Sequence, residues 1–249
     1  MLVRARTLGF LGPGPVTRHV AHALGFSRAI GGARGSSVLF APGTATSGCC
    51  PERGARDGLR LADLGSGGGV PGLVLAVTEP TWRVALVDAN ARRCEFLAEA
   101  IRQVGWTSRV AVVHDRAETV GRDAEHRGSY DVVTARSFGP PAVTAECAAP
   151  LLLTGGLLVT SEPPIATGPG GSPVEPAPPA GAGGADQVGG RTGVASASGR
   201  WPVAGLEQLG MAPLAPQVDV FAYQVVRQVT ACPHRYPRRV GMPAKRPLF

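Results

Sequence analysis

Through the middle of the chain, runs of apolar and β-branched residues alternate with segments that carry helical spacing. Residues 59–65 (LRLADLG), 82–89 (WRVALVDA), 109–115 (RVAVVHD), 130–136 (YDVVTAR) and 155–161 (GGLLVTS) lack the in–out alternation of half-exposed strands. Such strands, separated by amphipathic segments, predict a parallel sheet covered by helices on both faces. The helices are predicted over 72–78, over 91–104 and over about 142–152. The second has Asn90 as its cap, Cys94, Leu97, Ile101 and Val104 on one face, and Gly105 as its stop. Further on, 203–209 reads as a short helix and 217–229 as one or two last strands. Upstream, 16–30 places Val16, Val20, Leu24 and Ile30 on one stripe, with Arg18, His19, His22 and Arg28 on the polar side. Residues 31–58 read as coil.

The pattern divides the chain into a basic N-terminal segment, 1–58, and an α/β core, 59–162. An insertion at 163–200, a second part of the core at 201–233 and a basic tail at 234–249 follow. In the insertion 24 of 38 residues are Gly, Pro or Ala and none is aromatic, which predicts disorder because little apolar surface is available to offset chain entropy. The net charge of +7 and pI near 9.8 favour a polyanionic partner. Lys245 is the only lysine among 25 cations, a skew that keeps arginine content alone from indicating function. The first 51 residues hold five arginines and no acid. They suggest a basic arm near RNA, or poorly ordered sequence, rather than an organellar transit peptide, which is richer in serine near its start. Five cysteines without zinc-like spacing, the vicinal pair Cys49–Cys50 included, predict a reducing, cytoplasmic setting and no metal. No apolar run approaches the roughly 20 residues of a membrane span.

Candidate chemistry begins at the end of the first strand, in Asp63-Leu-Gly-Ser-Gly-Gly-Gly-Val-Pro-Gly72. Glycines let a backbone pass close under a nucleotide, and the helix that follows opens with free N–H groups. Gly67, Gly69 and Gly72 also fit the G-x-G-x-x-G spacing of dinucleotide sites, so the loop alone leaves NAD open. Asp63, two residues before Gly65, gives the D-x-G-x-G form of S-adenosylmethionine enzymes, in which an acid meets the ammonium end of the cofactor. Asp88, at the tip of the second strand, is placed for ribose hydroxyls under either cofactor. Ala117 and Glu118 follow the third strand, where an adenine would lie. Arg136 closes the fourth strand at the carboxyl edge, where α/β sheets bind ligands.

These runs, together with VDANARRCEFL, YDVVTARSF and above all the ending RYPRRVGMPAKRPL, resemble the RsmG (GidB) family, enzymes that methylate guanine N7 in small-subunit (16S) ribosomal RNA. The resemblance covers roughly 59–161 and 203–249. It implies a Rossmann-like class I fold, S-adenosylmethionine as cofactor, and cofactor contacts at Gly65, Val70, Ala117, Glu118 and Arg136. Asp63, Gly67, Gly69 and Asp88 complete the expected cofactor site. Three family features are not found: an Arg-His-…-Asp-Ser-Leu run before the glycine strand, a Leu-Lys-Gly step after the fifth strand, and an arginine around 219–223.

The expected reaction is in-line methyl transfer to guanine N7, whose lone pair needs no general base. Arg136 is the candidate catalytic residue, holding the target base, a phosphate or the cofactor carboxylate. Arg238, Arg239, Lys245 and Arg246 are expected to bind RNA along an extended tail, with Tyr236 offering a stacking face. Ribosomal RNA or the small subunit is the expected partner of a monomer without metal. Three alternatives stay open: a non-catalytic RNA-binding relative, a small-molecule methyltransferase, and an NAD-dependent oxidoreductase.

Overall fold

A computed structural model describes residues 1–35, 58–163 and 199–249. The bulk of the expected insertion, the Cys49–Cys50 pair and most of the expected 31–58 coil lie outside the described residues.

The chain begins with α1 (Leu2–Thr7) and α2 (Val16–Gly35). The core then alternates β1 (Arg60–Leu64), α3 (Gly72–Thr78), β2 (Arg83–Asp88), α4 (Ala91–Gln103) and β3 (Val110–His114). It continues with α5 (Ala117–Val120), β4 (Tyr130–Ala135), α6 (Pro141–Ala148) and β5 (Leu152–Ser161). Last come α7 (Val203–Glu207), β6 (Met211–Pro213), β7 (Gln217–Val218), β8 (Ala222–Gln228) and α8 (Met242–Lys245). The expected strands and helices all form within a few residues of their predicted bounds. Asn90 caps α4 as expected, its side chain accepting the Arg93 N–H.

The sheet runs β3-β2-β1-β4-β5-β8-β6, with β7 paired to β8. The first five strands in sequence are parallel; β8 lies antiparallel to β5. Alternate residues along each strand feed two cores, as a two-faced sheet requires. Leu61, Val84, Leu86 and Val159 pack under α2, α3 and α4. Ala62, Leu64, Val87 and Leu158 pack on the other face with α6, α7 and the C-terminal residues.

Two expectations are corrected. α2 continues to Gly35, and its polar side is exposed only in part: Arg18 and Arg28 face solvent, but His19 is buried, and His22 sits against Phe26, Phe221 and Tyr223. The helix is pressed between β8, β5 and α3, so it needs apolar or satisfied residues on more than one stripe. The tail is not extended either. Tyr236 is 5% exposed and joins the core, Pro243 is buried, and α8 forms within the stretch that its prolines were expected to hold open.

Candidate functional site at the carboxyl edge of the sheet

The parallel strands β1, β2 and β4 end side by side, and the glycine loop leaves β1 at that edge. Gly65, Gly67 and Gly69 have φ of +66°, +54° and +90°, a region that side chains enter at a cost. The loop is held from behind by Asp63. One of its oxygens accepts the Thr134 hydroxyl at 2.8 Å and the other the Gly72 N–H at 3.1 Å. Asp63 is fully enclosed, and burial pushes its carboxyl up to about 6 against the pull of those bonds and of Arg136. It therefore props the loop from within and does not face open space, where the expected cofactor ammonium would meet it. Val70, buried at 6%, is likewise a packing residue of the loop's far end.

Asp88 stands where the sequence placed it. Its two oxygens accept the N–H groups of Gly67 and Asn90, each at 2.9 Å. A carboxylate has about four acceptor positions, so two bonds leave room for hydroxyl donors. The Arg93 guanidinium lies 3.7 Å away.

Arg136 leaves the end of β4 and meets a residue that sequence reasoning missed. Its Nη2 donates to Nδ1 of His19 at 2.9 Å, and Nε2 of His19 donates to the Gly12 carbonyl at 3.1 Å. The two bonds together require the proton on Nε2, because the carbonyl can only accept. Nη1 of Arg136 is shut away from solvent with no partner. Next to it, Ser137 has φ +54°, an unusual conformation for a residue with a side chain, and turns Phe138 back over Gly65. A Cβ on Gly65 would stand 2.9 Å from the Phe138 ring. The N-terminal segment reaches the same place, since a Cβ on Gly68 would stand 3.0 Å from the Phe10 carbonyl.

Ala117 and Glu118 lie beyond β3, as expected, but the Glu118 side chain is engaged. It accepts the Gly241 N–H at 2.9 Å and lies 3.7 Å from Arg116. The tail residues separate into two kinds. Arg238 is bonded to the buried Glu146, which corrects its expected role in binding RNA, whereas Arg239, Lys245 and Arg246 are exposed. Tyr236, being buried, offers no free face to a base.

The residues fit S-adenosylmethionine. The unpartnered Nη1 of Arg136 calls for a carboxylate oxygen, the spare acceptor capacity of Asp88 suits a ribose diol, and Gly65 and Gly67 are the partly exposed glycines of the loop. Five parallel strands, an antiparallel strand inserted at one edge and this loop define a class I methyltransferase. The pattern of one family, described as rRNA small subunit methyltransferase G, matches residues 52–161. The protein of that name from Roseiflexus castenholzii is 35% identical over 190 residues, 76% of this chain and 71% of its own. That from Chloroflexus aggregans is 34% identical over 76% of this chain and 69% of its own. The chain belongs to this family, and its cofactor is S-adenosylmethionine.

Overlaps with solved structures are partial. The aminoglycoside resistance methyltransferase NpmB1 is 25% identical over 43% of this chain and 56% of its own, with a TM-score of 0.37. A putative sarcosine dimethylglycine methyltransferase from Galdieria sulphuraria is 15% identical over 43% of this chain and 40% of its own, also at 0.37. Among the described residues no helix is long and apolar enough to cross a membrane, and no cluster of three metal-ligating side chains occurs.

Of the polar residues expected on the first helix, His19 is the one brought to Arg136, and it lies on α2. His19 was hard to find because a histidine on the polar side of a short helix carries no sign of inward packing. Thr134 gave a better signal, as a hydroxyl within the buried Val132–Ala135 run of β4.

Proposed function

We propose that this chain transfers a methyl group to N7 of a guanine in small-subunit ribosomal RNA, acting as a cytoplasmic monomer. The observation that carries the reading is the half-satisfied guanidinium of Arg136, its Nη1 buried without a partner, in a chain of this family. When bound, S-adenosylmethionine supplies a methyl group activated on a sulfonium. Arg136 orients the amino-acid end of the cofactor through Nη1, while His19 fixes the guanidinium through Nη2. Asp88 holds the ribose and, through the Gly67 N–H, sets the height of the loop.

Guanine N7 presents its lone pair in the ring plane, so no side chain has to remove a proton before attack. The site accordingly works by positioning, for which effective molarities of roughly 10⁵–10⁸ M are available. A guanine has to leave its stack to reach this edge. Phe138, half-buried over Gly65, supplies an apolar face beside the point of transfer. Exposed Arg239, Lys245 and Arg246 hold the RNA backbone.

The test is incubation with methyl-labelled cofactor and either small ribosomal subunits, free ribosomal RNA or a small-molecule extract. Label at a single guanine of the RNA is expected. Label in the extract alone would make the chain a small-molecule enzyme, and cofactor binding without label anywhere would make it a non-catalytic relative.

A further inference from the structure

The short helix α5, which follows β3 at the ligand edge, is tied to the C-terminal tail at both of its ends. At its start, Oε1 of Glu118 accepts the Gly241 N–H at 2.9 Å. At its close, Nη1 of Arg127 donates to the Gly121 carbonyl at 3.0 Å and to the Tyr236 carbonyl at 2.8 Å. Beside that second tie the two backbones run close, since a Cβ on Gly121 would stand 3.2 Å from Cγ of Pro237. A single turn of helix has little stability of its own. Buried Ala117 and Val120 fix its depth in the core, and the two ties fix its ends.

The first tie also sets where two exposed cations of the tail stand. Gly241, with φ +79°, makes the left-handed turn from which α8 leaves. The Met242 N–H bonds back to the Arg239 carbonyl at 2.9 Å, and the Lys245 N–H to the Gly241 carbonyl at 3.1 Å. Arg239 and Lys245 therefore flank the one N–H that Glu118 holds, and both are exposed.

Glu118 makes this tie a stiff one. It is 6% exposed, and its other oxygen lies 3.7 Å from Nε of Arg116. A carboxylate bonded to an amide N–H forms a charge-assisted bond, stronger than one between neutral groups, and burial keeps water from competing for it. Three residues before Gly241 the tail is anchored again, where Arg238 meets Glu146 of α6. The turn is short and held on both sides, so a displacement of it is passed to α5 and not lost in slack chain.

We propose that Glu118 is a positioning residue: through the Gly241 N–H it makes α5 and the basic turn one body, so that cofactor and RNA each raise the other's affinity. This rests on the methyl-transfer reading, in which the adenine lies against α5 while Arg239 and Lys245 hold the RNA backbone. A ligand that orders α5 orders the turn with it, and the second ligand then meets a surface already set. The effect is reciprocal, since the free energy that links two bound ligands is the same from either side.

The test uses the full chain, S-adenosylhomocysteine, and small ribosomal subunits or free small-subunit RNA, whichever the wild type binds more tightly. S-adenosylhomocysteine has no methyl group to give and no sulfonium charge, so neither turnover nor attraction of phosphate by the cofactor enters. RNA affinity is measured with and without saturating S-adenosylhomocysteine, and the reverse. In the wild type the two ratios should agree, at about fivefold or more. Glu118→Leu should bring both to within about twofold of one. Glu118→Gln, whose amide oxygen can still accept the Gly241 N–H, should keep most of the ratio. Gly241→Val strains the left-handed turn, with nothing near a would-be Cβ and no change to α5 or to a tail cation. It should lose the ratio while binding S-adenosylhomocysteine alone as the wild type does, and it replaces Glu118→Leu if that variant does not fold.

A wild-type ratio near one overturns the proposal and leaves the methyl-transfer reading standing. So does a ratio that Glu118→Leu or Gly241→Val leaves at the wild-type value, or a Glu118→Gln variant no better coupled than Glu118→Leu. A wild type that binds S-adenosylhomocysteine but neither RNA nor subunits removes the methyl-transfer reading and the proposal together.

Discussion

Arg238 closes on Glu146 with three hydrogen bonds: its backbone N–H and Nε both reach Oε1 at 2.8 Å, and Nη2 reaches Oε2 at 2.6 Å. Glu146 is on α6 and fully buried, so the tail is fastened to the core by a charge pair that salt hardly screens. Arg127 adds a second clasp, its two terminal nitrogens donating to the carbonyls of Gly121, Cys232, Pro233 and Tyr236. Arg238→Ala leaves Glu146 buried and uncompensated, which should cost about 3–5 kcal/mol in urea unfolding. Replacing both partners, Arg238→Met with Glu146→Leu, should restore most of that. A loss below about 1 kcal/mol for Arg238→Ala would show that the tail is not fastened there.

The exposed tail cations should behave differently. Arg239, Lys245 and Arg246 have no part in the core, so converting all three to Gln should change stability little, by about 0.5 kcal/mol or less per site. The same variant should lower the salt slope of RNA binding by about 0.7–0.9 for each lost phosphate contact. Filter binding at several salt concentrations gives the answer, and an unaltered slope removes these residues from the RNA surface.

This division within one tail shows where the sequence was informative. The strands were legible because a parallel strand is apolar on both sides, and α4 because Asn90 and Gly105 mark its ends. Glycine spacing and Asp88 pointed to the ligand edge for the same local reason. What could not be read was which charges have partners far away in sequence. Arg238 and Glu146 are separated by 92 residues, and His19 and Arg136 by 117. Nothing near Arg238 distinguishes it from Arg239, and nothing near His19 shows that α2 is pressed from several sides. β6 escaped notice because three residues are too few for a pattern.

Two groups should tilt stability with pH in opposite directions. Asp63 is pushed up to about 6 by burial, so the folded state holds its proton over a range where the unfolded chain has lost it. Its contribution is present below the ordinary carboxylate value near 3.8 and is lost as pH rises to about 6. His22 is lowered to about 4, first by burial and then by Arg136. Its contribution is present above its ordinary value of 6.5 and is lost as pH falls toward 4. Over pH 4 to 6.5 the wild type should therefore gain stability with pH relative to His22→Leu, and lose it relative to Asp63→Asn. Urea midpoints at several pH values test both, and parallel pH curves for wild type and variants would contradict the argument.

At Gly65 the glycine serves both backbone and ligand. With φ of +66° and the Phe138 ring 2.9 Å from a would-be Cβ, Gly65→Val should cost about 1–3 kcal/mol in stability. Cofactor affinity should suffer more than stability does, because the new side chain displaces the Phe138 ring at the edge of the loop. Gly155, equally left-handed at φ +88° but with nothing near a would-be Cβ, serves as the control. Gly155→Val should be strained without touching cofactor binding. Calorimetry that finds both variants binding alike would mean that the loop is not where the cofactor lies.

Arg136 offers the sharpest test of how the cofactor is oriented. Its Nη2 is fixed by His19, which leaves Nη1 for the ligand. If Nη1 holds the cofactor carboxylate, Arg136→Met removes one charge-assisted hydrogen bond, about 1.5–3 kcal/mol, or roughly 10- to 150-fold in affinity. Methylthioadenosine has the same nucleoside and sulfur but no carboxylate, so its affinity should hardly move. His19→Ala should produce a smaller loss of the same kind, because the guanidinium keeps its charge and loses only its orientation. Arg136→Lys should not recover the wild-type value, since one ammonium cannot meet His19 and a carboxylate in the geometry of a planar fork. Calorimetry with both ligands on the three variants decides it. Equal weakening of both ligands would move Arg136 to the nucleoside, and no weakening of either, together with reduced methylation of RNA, would assign it to the target base or a phosphate.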